Sequence, residues 1–170
     1  MTRDFVVRTE QSSDIESIYE LNAAAFDGRT EEAELVDALR QDGDLLLSLV
    51  AVQEGEIVGH LAFSRVTVDA GPHPEGGVVL APIGVRPDLQ GREVGTRLIE
   101  AGLEHLRGRG ESLVVVVGNP GYYTRFGFSV ELGASYPNVY SGRHFMALVI
   151  GDAAAPVGHV SYPEAFSLVS

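Results

Sequence analysis

The chain has 170 residues, of which 45% are hydrophobic, and a formal net charge of −12. That length fits one domain with a substantial core, and that acidity excludes nucleic acid as a main partner, which would need a basic footprint. The absence of cysteine excludes a disulfide framework, a thiolate metal site and a cysteine nucleophile, and the 12 basic residues are all arginine, which excludes a P-loop lysine and Schiff-base chemistry.

The first residues, MTRDFVVRT, lack the apolar run of a signal peptide, and no stretch is long enough to span a bilayer. A cytoplasmic protein without membrane contact is therefore expected. Phe5 to Arg8 reads as a strand. Ser13-Asp14-Ile15-Glu16 has a capping-box pattern, and Ile15, Ile18, Tyr19, Asn22, Ala25 and Phe26 follow helical spacing, which predicts a helix from Ser13 to Ala25. Thr30 is the expected N-cap of a second helix, with Leu35, Val36 and Leu39 as its buried stripe and Gly43 just past its end. Leu45 to Gln53 and Ile57 to Val68 form a hairpin about Glu54-Gly55, followed by a loop from Asp69 to Gly77.

Val78 to Val85 is an apolar strand ended by Pro87 and Asp88. Gln90-Gly91-Arg92-Glu93-Val94-Gly95-Thr96 follows. Gly95, Leu98, Ile99, Gly102, Leu103 and Leu106 then lie on one helical face. A buried strand, a glycine turn and a helix N-terminus in this order make an anion site, most naturally for phosphate, because unpaired N–H groups and the positive end of the helix dipole face the turn. Gly108 and Gly110 end the helix. Ser112 to Val117 reads as a strand covered on both faces, Tyr122 to Phe126 as a short helical turn, and Ser129 to Leu132 and Phe145 to Ile150 as the last sheet strands. Gly133 to Gly142 reads as a loop, and a short strand is expected near His159 to Tyr162 in the tail. The order predicts an α/β fold with a mixed sheet: the 45–68 hairpin is antiparallel and the 78–117 unit is a parallel crossover.

Gln90-x-x-Glu93-x-Gly95 after Ile83-Gly84-Val85-Arg86-Pro87 resembles the acyl-CoA-binding motif of the GNAT superfamily of N-acetyltransferases, Q/R-x-x-G-x-G/A. Tyr123-Thr124-Arg125-Phe126-Gly127-Phe128 resembles that family's Y-x-x-x-G-F, and the two matches stand in the right order with a strand between them. The resemblance runs from about Phe5 to Val149. It implies a GNAT-like, centrally splayed mixed sheet flanked by helices in one domain, residues 1–150, with 151–170 as a C-terminal extension packed on it. It also implies an acyltransferase moving an acetyl, or another acyl group, from acetyl-CoA to an amine by direct attack in a ternary complex, with no metal.

For the site residues, the resemblance implies that backbone groups of the Ile83-Gly84-Val85 segment bind the acyl carbonyl and pantetheine amides. Gln90, Gly91, Arg92, Glu93, Val94, Gly95 and Thr96 would hold the pyrophosphate. Tyr123 would protonate the departing thiolate as a general acid, and Asn119 resembles the asparagine that bonds the pantetheine arm. Two departures stand out. Glu93 occupies the family's glycine position, placing a carboxylate near the phosphates and a side chain where backbone freedom is wanted. Val116, seven residues before Tyr123, occupies the family's usual asparagine position.

The candidates for a general base are Glu31, Glu32, His60, Glu75 and His144, and none is singled out. His60 opens an apolar run and reads as structural, and Glu31 and Glu32 read as a solvated first turn. The five histidines show no metal spacing. Ser64, Ser141 and His144 raise a hydrolase reading, which the lack of a G-x-S-x-G elbow opposes. A catalytically weak CoA-binding sensor of the same fold is the alternative that Glu93 favours. The acceptor, a small-molecule or peptide amine, is not encoded in any motif. Residues 1–56 carry 14 acids and 4 arginines, whereas residues 86–125 carry 5 acids and 6 arginines. That asymmetry points to a cationic acceptor or to solvated helix faces.

Overall fold

A computed structural model describes residues 4–151 and 155–169. The chain begins with β1 (Val6–Thr9), α1 (Ile15–Ala25), α2 (Glu31–Gln41) and the hairpin β2 (Leu45–Gln53) and β3 (Glu56–Asp69). Next come β4 (Pro74–Val85), α3 (Val94–Gly108), β5 (Leu113–Val117) and the short helices α4 (Pro120–Tyr123) and α5 (Val130–Gly133). β6 (Phe145–Val149) and β7 (His159–Ser161) complete the sheet. Among the described residues, the seven strands run in the order β1-β2-β3-β4-β5-β6, with β7 paired to β3. β1–β2, β2–β3, β3–β7 and β5–β6 are antiparallel and β4–β5 is parallel, the mixed sheet that the sequence predicts. The parallel ladder holds two registered pairs, Val78↔Val114 and Val79↔Val115, although β4 runs on to Val85.

These residues form two compact units. The first takes the chain up to Ser64, Ala81–Gly102 and the chain from Glu164. The second takes Arg65–Leu80 and Leu103–Pro163. In the first unit, Ile18 and Val36 of the early helices pack on Val50 and Ala62 of the hairpin, with Leu45, Val52 and Ile57 around them. The middle of α3 lies tight on β3: a Cβ at Gly102 would stand 2.4 Å from the Phe63 ring, so only glycine permits this approach. The 3-10 turn Glu164–Leu168 packs on α2 and buries Ala165 and Phe166. In the second unit, β5 is buried from Leu113 to Val116. Arg65 clamps Glu111 with two hydrogen bonds of 2.8 and 2.7 Å and also donates to the Gly77 carbonyl.

Four local expectations are corrected. Ser129 to Leu132 is not a strand: Ser129 makes one bridge to Ala147, and its hydroxyl accepts the Leu132 N–H at 3.0 Å, so a local cap wins over sheet pairing and starts α5. β4 begins at Pro74, inside the stretch read as a loop. The capping box uses Asp14 rather than Ser13 and Glu16: its carboxylate accepts the Gln11 N–H at 2.7 Å and an Arg8 N–H at 2.6 Å, opening a 3-10 turn, Ser12–Asp14, before α1. Thr30 is the N-cap residue of α2, as expected, but the side-chain cap expected of it is absent: it is helical in conformation and its side chain makes no cap bond. The boundary expected at residue 151 adjoins residues 152–154, which lie outside the described residues.

Candidate active site

β4 delivers the chain into the predicted anion turn. Ile83 and Val85 are half-buried and Gly84 between them is buried. The Arg86 N–H donates to the Val58 carbonyl at 2.8 Å, extending the link to β3, and a 3-10 turn, Pro87–Leu89, follows. Arg86 holds this corner by donating to Asp88 at 2.7 and 3.2 Å and to Glu56 at 3.1 Å. Gln90 closes it: its Nε2 donates to the Val85 carbonyl at 3.0 Å, joining two predicted site residues.

Gly91, Arg92 and Glu93 are exposed, and α3 starts at Val94. Gly91 has φ +78 with nothing within 4 Å of an added Cβ, and Glu93 has φ +69. The backbone therefore adopts the left-handed conformation that the family's glycine would supply, and Glu93 adopts it at a cost of about 1–2 kcal/mol. The first turn of α3, which opens at Val94-Gly95, presents the positive end of the helix dipole to this turn. An open, left-handed turn leading into a 15-residue helix is a fitting receptor for phosphate oxygens.

Behind Gly84 runs a buried polar chain. Arg40 of α2 donates to both carboxylate oxygens of Glu10 at 3.0 and 2.9 Å. The Ser48 hydroxyl donates to Glu10, and Ser48 Oγ meets His60 Nε2 at 2.8 Å. His60 Nδ1 meets Asn22 Nδ2 at 3.1 Å. His60 and Asn22 are fully buried. Burial pushes the His60 pKa down from 6.5 to about 4, with Glu10 opposing and Arg40 assisting, so the ring is neutral at pH 7. Burial raises the Glu10 carboxyl, but the hydrogen bonds from Arg40 and Ser48 outweigh it and leave the group below its ordinary value. His60 is thus a structural histidine, as its place in an apolar run indicated.

In the second unit, the Asn119 side chain accepts the Gly121 N–H at 2.9 Å and Pro120 occupies the first helical turn, so α4 starts two residues before the expected helical turn. Asn119 Oδ1 is engaged as a cap, which leaves its amide NH2 as the group free to serve a ligand. Tyr123, one turn on, is buried, its ring set edge-on to Tyr122 at 5.1 Å and to Phe128 at 5.9 Å. Burial, with a smaller push from Tyr122, raises its pKa from 10.0 to about 12. Among the described residues its hydroxyl has no hydrogen-bond partner. Sequence reasoning missed Gly118: a Cβ there would stand 2.3 Å from the Tyr123 ring, so this glycine is what lets the ring lie where it does.

The remaining base candidates separate. Glu75 and His144 are exposed, and His144 Nδ1 lies 3.3 Å from the Gly118 carbonyl. Glu32 is not solvated as its helix position indicated: it is half-buried, and its Oε2 is buried without a hydrogen-bond partner among the described residues. Ser64 is fully buried and the Ser141 hydroxyl accepts the Asn138 N–H, so neither is placed as a nucleophile. Among the described residues, no three His, Cys, Asp or Glu side chains group as a metal site, and no helix is long and apolar enough to cross a membrane.

Comparison with known proteins bears on the family. A family model described as an acetyltransferase (GNAT) domain matches residues 6–130. The chain is 40% identical over 139 residues to the uncharacterized N-acetyltransferase YjhQ of Escherichia coli K12, covering 80% of this chain and 76% of that protein. Its fold is similar to the crystal structure of a GNAT family acetyltransferase from Brucella melitensis in complex with acetyl-CoA, with TM-score 0.81, 36% identity and coverage of 97% and 99% of the two chains. It is similar also to E. coli YhbS in complex with CoA, with TM-score 0.88, 31% identity and coverage of 98% and 94%.

Proposed function

The chain belongs to the GNAT acetyltransferase family, and from that premise we propose that it transfers the acetyl group of acetyl-CoA to an amine by direct attack within a ternary complex. Acetyl-CoA supplies an activated thioester. The exposed Gln90–Glu93 turn and the first turn of α3 bind its pyrophosphate. The backbone of Ile83 and Val85 takes the acyl carbonyl and pantetheine amides, and fixed backbone donors stabilise developing negative charge without reorganising. Asn119 offers its free NH2 to the pantetheine arm. Tyr123 gives its phenolic proton to the sulfur as the carbon–sulfur bond breaks and the carbon–nitrogen bond forms. The amine's own proton leaves to a base, and Glu32 is the candidate whose carboxylate lies partly out of water.

The observation that supports this role is the placement of Tyr123: its ring is buried edge-on between Tyr122 and Phe128 on the bare Cα of Gly118, and its phenol is protonated at neutral pH, as a proton donor must be. The acceptor is proposed to be cationic. Glu10, Asp14, Asp37 and Glu56 are spent in ion pairs, but Glu16, Glu20 and Glu34 on the early helices and Asp27 and Asp42 just past their ends are exposed and set up a negative field.

Release of free CoA from acetyl-CoA, with and without a panel of cationic and neutral amines, tests the reading. Turnover only with amine, falling for cationic acceptors as salt rises, is expected. Binding without turnover would replace it by a CoA sensor, and amine-independent release by a hydrolase.

A further inference from the structure

The buried chain behind Gly84 has a fixed direction. Ser48 has one hydroxyl proton and gives it to Glu10, so toward His60 Nε2, 2.8 Å away, it must accept, and the imidazole proton sits on Nε2. Nδ1 is then bare and faces Asn22 at 3.1 Å, so the amide turns its NH2 to the ring. The reversed amide would set two acceptors against each other. Asn22 Oδ1 is thereby aimed the other way, at β4: a Cβ on Gly84 would stand 2.6 Å from it. That oxygen is buried and has no hydrogen-bond donor among the described residues. Native proteins rarely keep such an acceptor without reason.

We infer that Asn22 is a positioning residue of the acyl site, acting through Gly84. Four side chains, Arg40, Glu10, Ser48 and His60, hold its amide oxygen in the space that a side chain at position 84 would fill, so the β4 backbone fits there only as glycine. This sets the β4 backbone at the step between Ile83 and Val85. The inference rests on the proposed function, in which those two residues present backbone groups to the acyl carbonyl. Such groups act only when held to within a fraction of an ångström by a supporting shell. Asn22 is fully buried, so its part is positioning and not contact with substrate.

The test compares calorimetric Kd values for acetyl-CoA and for CoA, which differ only by the acyl contact. The wild type is expected to bind acetyl-CoA more tightly. Asn22→Ala should bring the two values together by weakening acetyl-CoA about 5–10-fold and leaving CoA within about twofold, and should lower kcat about tenfold at unchanged acceptor KM. Ser48→Ala keeps Asn22 but frees the imidazole proton, and should show a smaller change of the same kind. It decides the matter alone if Asn22→Ala does not fold. Variants with a lowered Tm but wild-type Kd ratio and kcat would make the chain mere packing and overturn the inference. A wild type that binds both ligands equally would overturn it too, while leaving acetyl transfer standing. A wild type that binds neither would overturn the proposed function itself.

Discussion

The turns at Gln90–Glu93 and Asn119–Tyr123 both lead into helices, and they are built by opposite means. The first is exposed, left-handed at Gly91 and Glu93, and offers backbone N–H groups. The second is capped by a side chain, started by proline and filled by aromatic rings that bury one phenol. A site made of backbone tolerates a changed side chain as long as the conformation survives, which is how Glu93 can stand in a glycine position. A site made of one hydroxyl tolerates no such exchange.

The sharpest break in this contrast is Tyr123→Phe. It should lower kcat by roughly 10²–10⁴-fold while acetyl-CoA binding stays near wild type, because the lost proton serves the departing sulfur and not the ground state. Unchanged turnover would remove Tyr123 from the chemistry. On the backbone side, the support behind β4 is tested by pH. His60 titrates at about 4 in the folded protein against an ordinary 6.5. As pH falls below 6.5 the unfolded chain takes up a proton that the folded protein refuses, so stability present above pH 6.5 is lost on the way to about 4. The loss is about 3 kcal/mol, and protonation of Glu10 works in the same direction. Urea unfolding at pH 7 and pH 4.5 should show a shallower dependence in His60→Gln. An equal dependence would place the proton elsewhere.

Gly118→Ala should cost about 1–3 kcal/mol in unfolding free energy and lower kcat, because the new methyl group displaces the Tyr123 ring. The same exchange at Gly91 adds a Cβ in open space and should leave kcat close to wild type, the only cost being the left-handed backbone. The smallest effect is expected from Glu93→Gly: a gain of about 1 kcal/mol in stability from relief of the φ +69 conformation, together with tighter acetyl-CoA binding that shrinks at high salt. Equal or weaker binding in a calorimetric titration would mean that the Glu93 carboxylate turns away from the phosphates.

The elements with a strong period were legible. β2 runs from Leu45 to Gln53 as its apolar run indicates, and Leu98, Ile99, Leu103 and Leu106 are the buried stripe of α3. The fold class and the strand–turn–helix of the proposed anion site followed from the same patterns. Ser129 to Leu132 misled because an alternating tetrad fits a strand, and a cap by one hydroxyl is a local bond that no period records. Asn22, His60 and Ser48 lie on three different elements, so their spacing in sequence carries no trace of the chain that joins them. Gly118 was illegible for a related reason: the need for a bare Cα is set by the ring that comes to rest on it.

The directional chain from Arg40 to Asn22 has a consequence for inheritance. Each link presents a donor to an acceptor, so exchanging one member alone leaves like facing like in the core, a lesion that selection removes. Positions 10, 22, 40, 48 and 60 should therefore change together or not at all across descendants of this gene. Ile83 and Val85, whose side chains do none of the proposed chemistry, should drift among apolar residues. The part of the active site under strictest inheritance would then be one that no substrate touches.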